Sequence, residues 1–334
     1  MRRGFPMMKC FALLFLKILV VVGALLVLPF VFGCDLITPP KPPWYEVESP
    51  TSNTLRSVDF VSETEGWAVG EKGTIIHYDG SKWNLVQSPT TASLWAVYFN
   101  SATDGWAVGR WGTILHYDGI SWQMVHSDST LGFLTSVYFT STSNGWVCSF
   151  NGSIMNYNGE DWRVVYHENE AGWTSLFFTS ANNGWVVGWG RAVQGGYIST
   201  AHYANGKWHP IVTQCDGLTD VYFLSPKSGW ATASPAKMGS ESALTWHYDG
   251  TSWNLVANPA PDDSYGLSGI YFVDENDGWA VGTRSIGGYI MHFDGSSWSL
   301  AESAVGNGLM SVYFVNPNNG WAVGLSGIIV YYGP

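Results

Sequence analysis

A glycine–tryptophan pair recurs along this chain, with its tryptophan at Trp67, Trp106, Trp146, Trp185, Trp230, Trp279 and Trp321. The intervals are 39, 40, 39, 45, 49 and 42 residues. A period near forty residues marks a supersecondary unit that buries its apolar surface only by stacking on copies of itself. The second repeat is the clearest: Leu94-Trp-Ala-Val-Tyr-Phe99, then Asp104-Gly-Trp-Ala-Val-Gly109, then Gly112-Thr-Ile-Leu-His-Tyr117, then Asp118-Gly119-Ile-Ser-Trp122. Each stretch is short, rich in β-branched and aromatic residues, and bounded by glycine, so each unit reads as four strands. Four antiparallel strands in about forty residues make one propeller blade. The expected fold is all-β: a seven-bladed β-propeller of four-stranded antiparallel blades over residues 44–334.

Two details support a closed ring. The first strand carries a small residue at one position in almost every repeat: Ser57, Ala96, Ser136, Ser175, Asp220, Gly269 and Ser311. That is expected where innermost strands converge on an axis. The seventh repeat also lacks its fourth-strand tryptophan, while an orphan segment, Trp44-Tyr-Glu-Val47, precedes the first. Trp44 lies 23 residues before Trp67, the step that also separates Trp83 from Trp106 and Trp298 from Trp321. The N-terminal strand is therefore expected to complete the last blade, with Trp44 at the closure. Between third and fourth strands stand Asp79-Gly80, Asp118-Gly119, Asn158-Gly159, Asn205-Gly206, Asp249-Gly250 and Asp294-Gly295. These predict two-residue type I′ hairpins, whose central residues both need positive φ.

Residues 1–33 are a different material. Arg2, Arg3 and Lys9 precede an apolar stretch broken only by Lys17, the pattern of a signal peptide or membrane anchor. Its end, Val31-Phe32-Gly33-Cys34, resembles a bacterial lipoprotein signal with Cys34 as the lipidated residue. An uncleaved transmembrane anchor is the rival reading, because the run is long enough to span a bilayer. Residues 34–43 contain Pro39, Pro40, Pro42 and Pro43 and read as a semi-rigid tether. The expected location is the outer side of a bacterial cytoplasmic or other envelope membrane, with the tether leaving the ring at its closure point. Without the four basic residues of 1–33, the chain has 11 Lys+Arg against 26 Asp+Glu, a net charge of −15. Such a surface repels phosphate backbones and argues against nucleic acid as a partner. Cys148 and Cys215 could pair in an exported protein, but they fall at non-equivalent positions of neighbouring repeats, and two separate buried thiols is the leading reading.

The pattern Gly-Trp-Ala-Val-Gly, Gly-Thr-Ile, His-Tyr-Asp-Gly-x-x-Trp resembles the BNR/Asp-box and YVTN-like propellers, and among them the photosystem II stability/assembly factor family. The resemblance spans residues 44–334. It implies a seven-bladed, exported or lumenal protein, lipid-anchored in some bacteria. The hairpins here, as in Tyr-Asp-Gly-Ser-Lys-Trp83, are one residue shorter than that family's usual Asp-Gly-Gly-x-Thr-Trp.

The residues point to a monomeric binding or scaffolding protein rather than to an enzyme. His77, His116, His202, His247 and His292 occupy one repeat position in five blades. They form a wide ring that cannot converge on a metal and read as structural. A sialidase would need three arginines gripping a carboxylate with a Tyr/Glu pair and an acid, and none of the five arginines beyond residue 33 lies in such a motif. No cofactor is expected. A partner surface is expected where second-to-third and fourth-to-first connections share one face of the ring. The second-to-third connection lengthens in the fourth, fifth and sixth repeats, and insertions on one face often mark a binding surface. Across the repeats this connection holds Arg110, Trp111, Trp189, Arg191, Lys237 and Arg284, and Arg and Trp dominate interface energetics. A protein partner at the membrane surface is the leading reading. A glycan stacked on exposed tryptophan is the alternative, and an Asp-box glycoside hydrolase the third.

Overall fold

A computed structural model describes residues 44–234, 245–259 and 264–333, with only the backbone of 302–304. All belong to the unit Lys41–Pro334. The leader, Cys34, the proline-rich tether and Lys237 lie outside the described residues.

The described chain forms seven four-stranded antiparallel sheets. Blade one is typical, with an inner strand Leu55–Ser62, a second Glu65–Gly70, a third Ile75–Tyr78 and an outer Trp83–Val86. Each inner strand packs beside that of the next blade, and the inner strand of blade seven packs beside that of blade one. The ring is closed as expected. Trp44–Glu46 pairs with Ile329–Tyr332 as the outer strand of blade seven, with Trp44 opposite Tyr332. Trp44 takes the place of the other outer-strand tryptophans, its ring 5.5 Å from Trp279 and 5.6 Å from Phe314.

The Gly-Trp repeat has a steric cause. Every one of the seven tryptophans is buried and stacks on the inner-strand phenylalanine of the following blade, from Trp106 on Phe139 at 4.9 Å to Trp321 on Phe60 at 5.4 Å. The phenylalanine of the same blade lies against the preceding glycine, where a Cβ on Gly66 would fall 2.2 Å from the Phe60 ring. Glycine is required because the ring occupies that space. Such aromatic pairs add about 0.5–1.5 kcal/mol beyond their buried area.

The small inner-strand residues stitch blades together as well as clearing the axis. Ser311 Oγ accepts from Val58 N, Ser57 Oγ from Val97 N and Ser136 Oγ from Leu176 N, each bond crossing to the next blade. Asp220 plays the same part with a carboxylate, accepting from Ile270 N at 2.9 Å. Two residues further along, Tyr98 and Tyr313 donate to carbonyls of the next blade, those of Phe139 and Phe60. Blade one has Asp59 there instead, which accepts from Phe99 N at 2.7 Å.

The hairpin expectation needs correction in five blades. Only Asn205 and Gly206 both have positive φ, at 53° and 76°. In the other five only the glycine does. The preceding Asp or Asn stays outside that region because its side chain replaces its carbonyl as acceptor. Asp79 Oδ1 takes the N–H groups of Ser81 and Lys82 at 2.9 and 3.0 Å, while Asp79 N donates to Lys82 O. The insertion in blade four is likewise a hairpin extension, with the second strand running Asn183–Val193 and the third Gly196–Ala204. Cys148 and Cys215 are buried and unpaired.

Candidate binding face

Second-to-third turns and fourth-to-first connections do share one face: Glu71 N donates to Thr54 O, and Arg110 N to Ser93 O, both at 2.9 Å. The axial channel opens here into a cavity of about 520 Å³. Its wall is set by the residue just before each small inner-strand position: Arg56, Trp95, Thr135, Thr174, Thr219, Ser268 and Met310. The threonines are structural, since Thr135, Thr174 and Thr219 donate to carbonyls of the next blade at 2.7–2.8 Å. Arg56, Trp95 and Met310 are large where a threonine would serve.

Arg56 lies 4.1 Å over the Trp95 ring and pairs with Glu71 at 2.7 Å. Arg110 lies 4.7 Å over Phe133, which together with Phe150 and Trp189 completes an aromatic collar at the mouth. Trp111 is 56% exposed at the tip of its turn, with φ at 60°. A bulky residue in the left-handed region is unusual; Lys72 and Ser326 share this conformation in blades one and seven. Arg191 reaches Glu168 at 3.4 Å. Arg284 lies on the extended second strand of blade six, opposite Ser264, and does not line the channel. The sequence-derived set is thus brought together in part, with Trp189 on the mouth, Arg110 on its collar and Trp111 beside it.

Two carboxylates stand out. Asp220 accepts from Ser175 Oγ, Val221 N and Ile270 N, yet loss of solvent around it pushes its pKa up to about 6. Burial likewise raises Asp59 to about 7, against the opposing pull of the Phe99 and Phe60 N–H groups. Neither has a basic partner among the described ion pairs. The five repeat-position histidines each lie against the tryptophan of their own blade, as His77 does against Trp67 with ring centres 4.3 Å apart. His77, His116 and His292 bond to Glu65, Asp104 and Asp277. Among the described residues no group of three or more ligating side chains could hold a metal.

The family model for the photosynthesis system II assembly factor YCF48 matches residues 38–333. The chain belongs to the YCF48 family. Among solved structures, one described as YCF48 bound to D1 peptide is 19% identical, with a TM-score of 0.68, covering 87% of this chain and 95% of that one. YCF48 from Cyanidioschyzon merolae is 17% identical, with a TM-score of 0.67 and coverage of 87% and 99%. The WD40 propeller domain of Doa1, at 13% identity, also reaches 0.67, with coverage of 86% and 94%. At these identities the likeness is one of fold. No curated protein matches the chain.

Within this YCF48-family propeller, six residues of the face do not stand out in the sequence: Arg56, Trp95, Phe133, Phe150, Met310 and Glu71. A usable signal exists for three of them. The position before the small residue reads Thr or Ser in four blades and Arg, Trp or Met in the rest.

Proposed function

We propose that this propeller is a protein-binding assembly scaffold whose partner docks on the face around the channel mouth. The observation that carries this reading is the collar itself. Four aromatic rings and Arg56 line a cavity of about 520 Å³, with Arg110 stacked on the collar ring of Phe133, and Arg56 and Trp95 stand where the ring needs only threonine. Aromatic and arginine side chains beside a desolvated pocket are the usual anchors of an interface. Membership of an assembly-factor family, and a relative bound to a peptide, support protein binding over catalysis. Residues 1–43 would hold the scaffold at the outer face of a membrane, through lipid on Cys34 or an uncleaved anchor. A partner pulled down by the full chain should be lost with Arg110→Glu and Arg191→Glu together; undiminished capture would remove this face from the account. Glycan-array binding would favour the carbohydrate reading, which shares the exposed aromatics.

A further inference from the structure

The mouth is electrically lopsided. On the side of blades one and two, two collar rings already carry the protein's own cations, Arg56 on Trp95 and Arg110 on Phe133. On the side of blades three to five, no described cation stacks on Phe150 or Trp189, and Phe150 is 47% exposed. That side is also acidic. Glu168 and exposed Glu170 stand in the connection entering blade four, and Asp216 in the one entering blade five, where its carboxylate accepts from Gly190 N beside Trp189. Arg191 is the one cation found among them in the described residues, and Glu168 already binds it.

Below this half of the collar lies Asp220 on the channel wall. Its neighbours in the girdle are Ser57, Ser136, Ser175 and Ser311, which accept or donate the same kind of inter-blade bond without charge. A carboxylate is therefore more than the fold requires here. It has three hydrogen-bond donors, all neutral, while an ionised carboxylate offers about four acceptor sites. One site and the whole negative charge are left over. Aromatic faces attract cations, and the collar's other half demonstrates that attraction with Arg56.

We propose that the channel mouth takes up a lysine or arginine side chain of the docked partner, its stem over Phe150 and Trp189 and its charge against Asp220. This rests on the scaffold reading above and names what the scaffold grips. The net negative charge of the chain beyond residue 33 favours approach of such a basic segment.

The test is an NMR titration of the full chain with acetyl-Gly-Lys-Gly-amide, read at the Trp189 indole N–H. The arginine peptide and the norleucine peptide are run in parallel. Lysine and arginine should bind at least about tenfold more tightly than norleucine, whose stem is similar but uncharged. Asp220→Ser should erase that preference, and it should fold, since it installs the residue four other blades carry. Equal binding of lysine and norleucine, or an unchanged preference in Asp220→Ser, overturns the proposal. Tighter binding of free cadaverine than of the lysine peptide overturns its assignment to a partner's side chain. Pull-down from solubilised envelope separates the two levels. If wild type and Asp220→Ser capture the same partner equally, this inference fails alone; if wild type captures none, the scaffold reading fails with it.

Discussion

Asp59 stands where five other blades have tyrosine and one phenylalanine, and replacing it by asparagine tests the inner girdle directly. Burial holds its carboxyl near 7 against an ordinary value of 3.8. The folded protein thus keeps this proton more tightly than the unfolded chain does. Stability contributed by the protonated form is fully present below about pH 4 and is lost as pH rises through 7. At about 1.4 kcal/mol per pH unit, the full loss is about 4 kcal/mol, and about 3 kcal/mol of it falls between pH 4.5 and 8. The uncharged amide of Asp59→Asn would have no such dependence. It would keep one acceptor for the two N–H groups of Phe60 and Phe99, a fixed cost of about 1–3 kcal/mol at every pH. Asp220, which titrates in the same range, is present in both proteins and cancels in their difference. The measurement is urea unfolding followed by tryptophan fluorescence at pH 4.5, 6 and 8 for wild type and Asp59→Asn. The difference in unfolding free energy should move in favour of the variant by about 3 kcal/mol across that range. A difference that stays constant would refute the reasoning, because it would mean that Asp59 ionises in the fold as easily as in water.

Trp44→Ala removes the outer-strand ring of blade seven from its contacts with Trp279 and Phe314. It should cost about 3–5 kcal/mol, measurable as a lowered midpoint in thermal unfolding; an unchanged midpoint would count against closure by this strand. Burial pushes the Cys148 and Cys215 thiols up to about 12 and about 11, so neither should react with a thiol-specific disulfide reagent at pH 8 until the protein is unfolded. Labelling of either in the folded state would contradict their buried placement. Gly66→Ala drives a methyl into the Phe60 ring and should destabilise by about 1–3 kcal/mol, visible as a lower urea midpoint.

Whatever the repeat makes periodic is legible in the sequence. The seven tryptophans, the small inner-strand residues and the 23-residue step to Trp44 together specify blade number, strand order and closure. The hairpins depart from expectation because the Asp-Gly rule rests on backbone preference, whereas Asp79 and its counterparts use a side-chain oxygen in place of the carbonyl. Gly206 lies in the one hairpin where the backbone rule holds, as it follows Asn205 in the left-handed region. The binding face is harder to read. Arg110, Trp111 and Trp189 stand out as arginine and tryptophan in connections, but Arg56 and Trp95 lie inside a strand pattern. Phe133 and Phe150 look like ordinary core residues until the ring brings them to the mouth. In the sequence Asp220 is only one more residue at a small position. Its charge acquires meaning once the channel wall around it is known to lack a basic partner among the described ion pairs.

The pairing of Trp44–Glu46 with Ile329–Tyr332 also sets an order of events. Synthesis delivers the strand at residue 44 first, but its hydrogen-bonding partner emerges nearly three hundred residues later. Until then the outer strand of blade seven has nothing to pair with, although the inner strand of that blade, Leu309–Asn316, is already available to lie beside that of blade one. Closing so long a loop is a slow, entropically costly last step. The propeller is therefore latched only after its whole domain has been made, and a ribosome that stalls before residue 309 leaves an open arc with two bare flanks.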